Sequence, residues 1–163
     1  MNTAELQKLV KTSGYQVFLL ACPASIPCNF ALHPWFVCVR NGEISRYEIR
    51  FEMSRDNPDI FKHFHLNQLP PFSGIEKFTF IPKEYLWKNV RLLGMVEGDE
   101  NSLAKKVLDF IEQSSEKYPY CNKYKIWGPN SNTYAQWVLN NFPDFKVDLP
   151  WNCFGKNYGI KIL

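Results

Sequence analysis

The chain has 163 residues, 45% hydrophobic and 16% aromatic, which is enough apolar mass for one compact domain (1–163) and too much for a disordered segment. The formal net charge is +3 and the lysines are scattered, so the basic stripe of a nucleic-acid binder is missing. The five cysteines (Cys22, Cys28, Cys38, Cys121, Cys153) are an odd number without the close pairs of a zinc site, and read as reduced thiols in a cytoplasmic protein.

Thr3 to Thr12 read as a short amphipathic helix with Leu6, Leu9 and Val10 on one side. Lys8 and Lys11 before the apolar run Tyr15 to Ala21, with Leu19-Leu20-Ala21-Cys22, outline a lipoprotein-type leader. The run is at the shortest limit, contains Gln16 and follows Glu5, so a cytoplasmic location is expected rather than a secreted or lipid-anchored one. No run reaches membrane-spanning length. Tyr15 to Ala21 instead predicts a strand buried on both faces. Pro23 and Pro27 then make a loop from Cys22 to Asn29.

Phe30 to Arg40 is the next strand, and Asn41-Gly42 is the strongest hairpin signal in the chain, returning Glu43 to Met53 antiparallel. Arg55 to Pro71, polar and aromatic with three prolines, reads as a surface loop or broken helix carrying His63 and His65. Phe78 to Ile81 and Asn89 to Val96 are short strand candidates. Ser102 to Ser114 is a helix with Leu103, Val107, Leu108 and Ile111 at helical period, capped by Asn101 or Ser102. A Tyr-rich connection, Tyr118 to Trp127, leads to the central stretch, and the last twenty residues form an irregular tail over the domain. The fold class predicted is α+β, with an antiparallel, partly barrel-like sheet packed against a few helices.

The central stretch is Trp127-Gly128-Pro129-Asn130-Ser131-Asn132-Thr133. Gly128-Pro129 is a turn, and Asn130 to Thr133 are all good helix caps. After them Tyr134, Trp137, Val138 and Phe142 recur at helical spacing. The pattern delivers Ser131 to the positive end of a buried helix, which suits an anion, an oxyanion or a nucleophile. The same residues also serve if Ser131 or Asn130 simply caps the helix.

His33 is the candidate base. It lies in a strand among apolar neighbours, and Pro34 requires an edge or a bulge there, which is one way to aim a side chain into a site. Tyr47 or Glu48 on the returning strand is near enough to orient the imidazole. Alternation allows only one of them to do so. A Glu48 in a charged outer face is the competing reading. His63 and His65 alternate as a weak metal pair without a third ligand, and Cys121 and Cys153 flank the helix as thiols of open role. No glycine-rich phosphate loop is present, and no cofactor is expected.

Gly128 to Thr133, with Tyr124 and Trp127 before it, resembles the hallmark of a bacterial family of unknown function. Leu149-Pro150, Phe154 to Tyr158, His33-Pro34-Trp35 and Arg46-Tyr47-Glu48 resemble its other elements in the same order, with Trp151 and Asn157 departing from its pattern. More distantly, the order strand histidine, polar residue on the next strand, helix N-terminus resembles circularly permuted papain-like proteins. That superfamily includes cell-wall peptidases, lecithin–retinol-type acyltransferases and deubiquitinase-like isopeptidases. The resemblance implies a circularly permuted papain-like fold with His33 in the base slot and Tyr47 or Glu48 in the orienting slot. Ser131 then stands where the superfamily has its cysteine, and a serine hydroxyl needs a well-placed base to react.

Two functions follow. One is an amide or ester hydrolase or acyl transferase in which Ser131 attacks, His33 takes the proton and helix N–H groups near Asn132 hold the oxyanion. Its substrate would be a small molecule, a peptide or an acyl compound. The other is a non-catalytic module binding a peptide, glycan or acyl group in a cleft lined by Trp35, Trp127 and Tyr134, with Asn130 and Asn132 at the helix end. A redox or metal role would require Cys121, Cys153, His63 and His65 to converge.

Overall fold

The computed structural model describes residues 3–24, 28–51, 63–75 and 89–159. Among them the order is α1 (Thr3–Gln7), β1 (Tyr15–Pro23), β2 (Leu32–Arg40), β3 (Glu43–Ile49), β4 (Phe64–Leu66), β5 (Arg91–Gly98), α2 (Leu103–Glu112), α3 (Ser114–Lys117), α4 (Ser131–Asn141) and a 3₁₀ turn at Pro143–Phe145. The strands form an antiparallel sheet in the order β4-β3-β2-β1-β5. The fold is α+β, and the sheet is open: β4 and β5 lie at opposite edges, so the barrel-like closure expected from the sequence is not formed.

The hairpin turns at Asn41-Gly42, both with positive φ (50° and 87°), and pairs Arg40 with Glu43. Positive φ at both central residues is the twist-matched turn that Asn-Gly favours. Pro34 pairs with Ala21 of β1, but the β2–β3 ladder begins only at Phe36–Tyr47, so the proline sits where β2 has a neighbour on one side alone.

β1 is buried along nearly its whole length because the sheet is covered on both faces. Val17, Leu19, Ala21, Leu32, Phe36, Tyr47 and Ile49 face α2 and α4. Phe18, Leu20, Cys22, Trp35, Val37 and Val39 face α1 and the Phe72–Ile75 segment. Ala104, Val107, Leu108 and Ile111 of α2 are fully buried. Side chains of the size of those last three contribute about 1.5–3 kcal/mol each. Ser102 caps α2 by accepting from Lys105 N. The ion pairs of Arg40 with Asp109 (2.8 Å) and Glu112 (2.7 Å) link α2 to the hairpin at the surface, where such pairs add little.

Three expectations change. The N-terminal helix is shorter than Thr3 to Thr12, ending at Gln7. The segment before Pro71, read as a surface loop or broken helix, instead contributes β4, which pairs Tyr47 with Leu66, Glu48 with His65 and Ile49 with Phe64. Glu48 is not on a charged outer face: it is 1% exposed. The strand candidate Phe78 to Ile81 lies outside the described residues.

Candidate functional site

α4 begins where the sequence places it, with Asn130 as its cap. Asn130 Oδ1 accepts from Asn132 N (3.0 Å) and Thr133 N (3.2 Å), while Thr133 Oγ1 accepts from Asn130 N (3.2 Å). This reciprocal arrangement occupies the amides of Asn132 and Thr133, two of those expected to face an oxyanion.

The remaining polar groups of the same turn hold the C-terminal tail. Asn130 Nδ2 donates to Ile126 O (2.8 Å) and Phe154 O (3.1 Å), Asn132 Nδ2 donates to Phe154 O (2.9 Å), and Thr133 Oγ1 donates to Gly155 O (2.7 Å). Gly155 has φ +85°, and a Cβ there would lie 2.7 Å from Asn130 Nδ2, so this close approach needs a glycine. Asn132 Oδ1 is buried without a partner.

Ser131 is 3% exposed. Burial raises the Tyr124 phenol, and the neighbouring Ser131 offsets part of that rise. The Tyr124 ring stacks on His63 (5.8 Å between centroids) and meets Phe51 (5.8 Å). Burial lowers the His63 imidazole below its ordinary value, offset in part by a hydrogen bond to the Arg50 backbone.

His33 belongs to a different neighbourhood. It pairs opposite Cys22 and stacks on Trp35, and alternation along β2 directs it to the face away from α4. There Nε2 meets Glu48 Oε2 at 3.0 Å, and the same oxygen accepts from Arg46 Nη2 at 3.0 Å. Arg46, 1% exposed, also donates through Nη1 to Pro70 O (2.8 Å) and Ser73 O (2.6 Å), and its guanidinium lies 4.3 Å from the centre of the Trp35 ring. Burial would raise the Glu48 carboxyl, but the hydrogen bonds and charge of His33 and Arg46 outweigh it and hold the group down at about 2. Glu48 Oε1 has no partner.

The expected site residues thus separate. Glu48 orients His33 and Tyr47 does not, because Tyr47 points to the opposite face and packs beside Phe64. No hydrogen bond joins Ser131 to His33, which is bonded to Glu48 on the face of β2 away from α4. Trp35 and Tyr134 do not line a cleft. Trp35 is fully buried with Nε1 donating to Pro71 O, and Tyr134 is 1% exposed, edge-on to Phe36 and Phe64. Trp127, by contrast, is 70% exposed. It belongs to an aromatic cluster that sequence reasoning missed, in which Phe154 is within 5.6 Å of Trp127, 5.7 Å of Phe30 and 6.2 Å of Trp151, centroid to centroid. Nothing periodic marks these residues, since three irregular segments supply them. Cys153 is buried with its thiol pushed up by that burial to about 11, and Cys121 Sγ donates to backbone carbonyls of Ser114 and Ser115.

The profile of a family described as "Protein of unknown function (DUF3750)" matches residues 15–158, and the chain belongs to that family. No curated protein and no solved structure matches it.

Proposed function

We propose that the chain is a non-catalytic binding module on a circularly permuted papain-like frame, with the aromatic surface around Trp127 as its contact region. One observation carries this reading: the base-slot histidine is bonded to Glu48 on the face away from α4, and no hydrogen bond joins it to the nucleophile-slot serine. Nucleophilic catalysis by serine requires the base within hydrogen-bond reach of the hydroxyl, about 2.6–3.2 Å. Two of the helix amides that would stabilise an oxyanion, those of Asn132 and Thr133, are satisfied by Asn130. Exposed large aromatics next to that closed helix end are what a contact surface presents.

One feature favours the hydrolase or acyl-transferase reading: an ionised carboxylate orienting an imidazole, as Glu48 does His33, is two-thirds of a catalytic triad. Labelling with a fluorophosphonate probe, together with turnover of activated esters and peptides, separates the two. The binding module shows neither labelling nor turnover that depends on Ser131. Labelling abolished by both Ser131→Ala and His33→Ala would overturn the binding reading.

A further inference from the structure

We propose that the aromatic surface docks on the interface of an anionic lipid bilayer, an inference that rests on the binding-module reading and names its partner. Phe30, Ile126, Trp127 and Trp151 are exposed by 58%, 64%, 70% and 80%, and three of the four gather round the Phe154 ring. They come from three separate segments at one end of the fold, tied together by hydrogen bonds: Asn152 Nδ2 to Phe30 O, Leu32 N to Asn152 O, and Asn130 Nδ2 to both Ile126 O and Phe154 O. The patch is thus held rigidly, and its side chains project without cover from the described residues.

The chain segments that supply it carry charge of one sign. Residues 22–42, 117–143 and 149–159, which supply the whole patch, contain no aspartate or glutamate, although the chain has 16 acidic residues in all. The same segments carry Lys123 and Lys125 immediately before Ile126, both exposed. Lys156 Nζ donates to Leu149 O and Pro150 O, the carbonyls just before Trp151.

Tryptophan with lysine and no carboxylate is the composition that settles at the headgroup level of a bilayer. The rings enter the interface and the ammonium groups meet anionic lipid. A protein partner fits less well. Side chains that bury about 150–250 Å² each, exposed to this extent, supply roughly 500 Å². A stable protein interface takes about 800 Å² per partner and depletes lysine. No helix among the described residues is long and apolar enough to cross a membrane.

The test is co-sedimentation of the full chain with vesicles of phosphatidylcholine alone or mixed with phosphatidylglycerol, with tryptophan emission and quenching by bromine-labelled lipid as second readouts. Binding to the anionic vesicles is expected at least roughly tenfold tighter than to the neutral ones, and weakened by salt. Trp127→Ala with Trp151→Ala together should cut partitioning by roughly tenfold or more while leaving the unfolding midpoint unchanged, because both side chains are exposed. Lys123→Glu with Lys125→Glu should remove the anionic preference. Failure of the native chain to bind anionic vesicles, or binding that the tryptophan pair does not affect, overturns the lipid proposal. If the same tryptophan pair then alters self-association in sedimentation or binding of a peptide panel, the binding-module reading survives with a different partner. If it alters nothing, both fall.

Discussion

Replacing Glu48 by glutamine tests the buried charge cluster most directly. The native carboxylate is held at about 2 against an ordinary value of 4.5, and each pH unit of such a difference corresponds to about 1.4 kcal/mol. The ionised form therefore contributes about 3 kcal/mol. Because the native value lies below the unfolded one, this stability is fully present above pH ~4.5 and is lost as pH falls toward ~2. Burial pulls Arg46 below its own usual value even beside Glu48, so part of this gain offsets the cost of burying the guanidinium. Arg46 keeps its bonds to Pro70 O and Ser73 O in the variant but loses the Glu48 carboxylate. The expected loss at pH 7 is about 2–4 kcal/mol, out of a total of about 5–15 for a domain of this kind. The assay is urea unfolding of native and Glu48→Gln protein, followed by tryptophan emission at several pH values from 7 to 3. The gap between the two should be widest at neutral pH and should narrow below pH ~4.5. A gap under about 1 kcal/mol at pH 7, or one that stays constant to pH 3, refutes the assignment of Glu48 as the anion that stabilises this core.

Three further outcomes follow. Asn130→Ala removes a cap worth about 1–2 kcal/mol and two donated bonds worth about 1 kcal/mol each. The melting midpoint should drop by roughly 6–12 °C, with Asn130→Asp intermediate because it keeps the cap and loses the donors. A drop no larger for alanine than for aspartate would show that the tail bonds, not the cap, dominate. Gly155→Ala should cost about 2 kcal/mol or more, since it combines φ +85° with a Cβ only 2.7 Å from Asn130 Nδ2 and 3.0 Å from Gly128 N. A neutral Gly155→Ala in a chemical melt would mean the tail does not sit on the turn. With a disulfide-exchange reagent at pH 8, Cys22, Cys38 and Cys153 should react only on unfolding, for all three are buried. Burial also pushes the Cys38 thiol well above its ordinary value. A fast phase larger than Cys28 and Cys121 together would contradict that burial.

The hairpin, α2 and α4 were legible because each rests on local chemistry. Asn41-Gly42 takes positive φ at both positions, Ser102 caps α2, and Asn130 was among the named caps of α4. What escaped was tertiary. Whether Glu48 and its neighbour Arg46 face outward or inward stays open in the sequence, because strand alternation gives parity and not direction. Their burial depends on Pro70 and Ser73 arriving from a distant segment to accept from Arg46. The same ambiguity governs His33. Its parity with Trp35, and against Phe36 and Cys38, is plain in the sequence. That Phe36 is on the side of α4 follows only from its edge-on contact with Tyr134. The aromatic surface was invisible because its members lie in irregular segments, although the lack of carboxylates in those segments could have pointed to it.

A helix N-terminus offers a limited set of free amides, and whatever occupies them excludes other occupants. In this chain Asn130 occupies two of them, and the amide and hydroxyl groups of Asn130, Asn132 and Thr133 are directed to Ile126, Phe154 and Gly155. The turn therefore works as a joint: it fixes Phe154, and through that ring it positions Trp127, Phe30 and Trp151. The polar pattern that suggests a nucleophile's turn is thus accounted for by the geometry of the aromatic surface. Ser131 is buried beside this cap, and a serine hydroxyl is unreactive without a base in hydrogen-bond reach. On this argument Ser131→Ala should leave ligand binding intact while Asn130→Ala weakens it along with the tail. The reverse order of effects, measured on the same vesicles, would return Ser131 to the centre of the function.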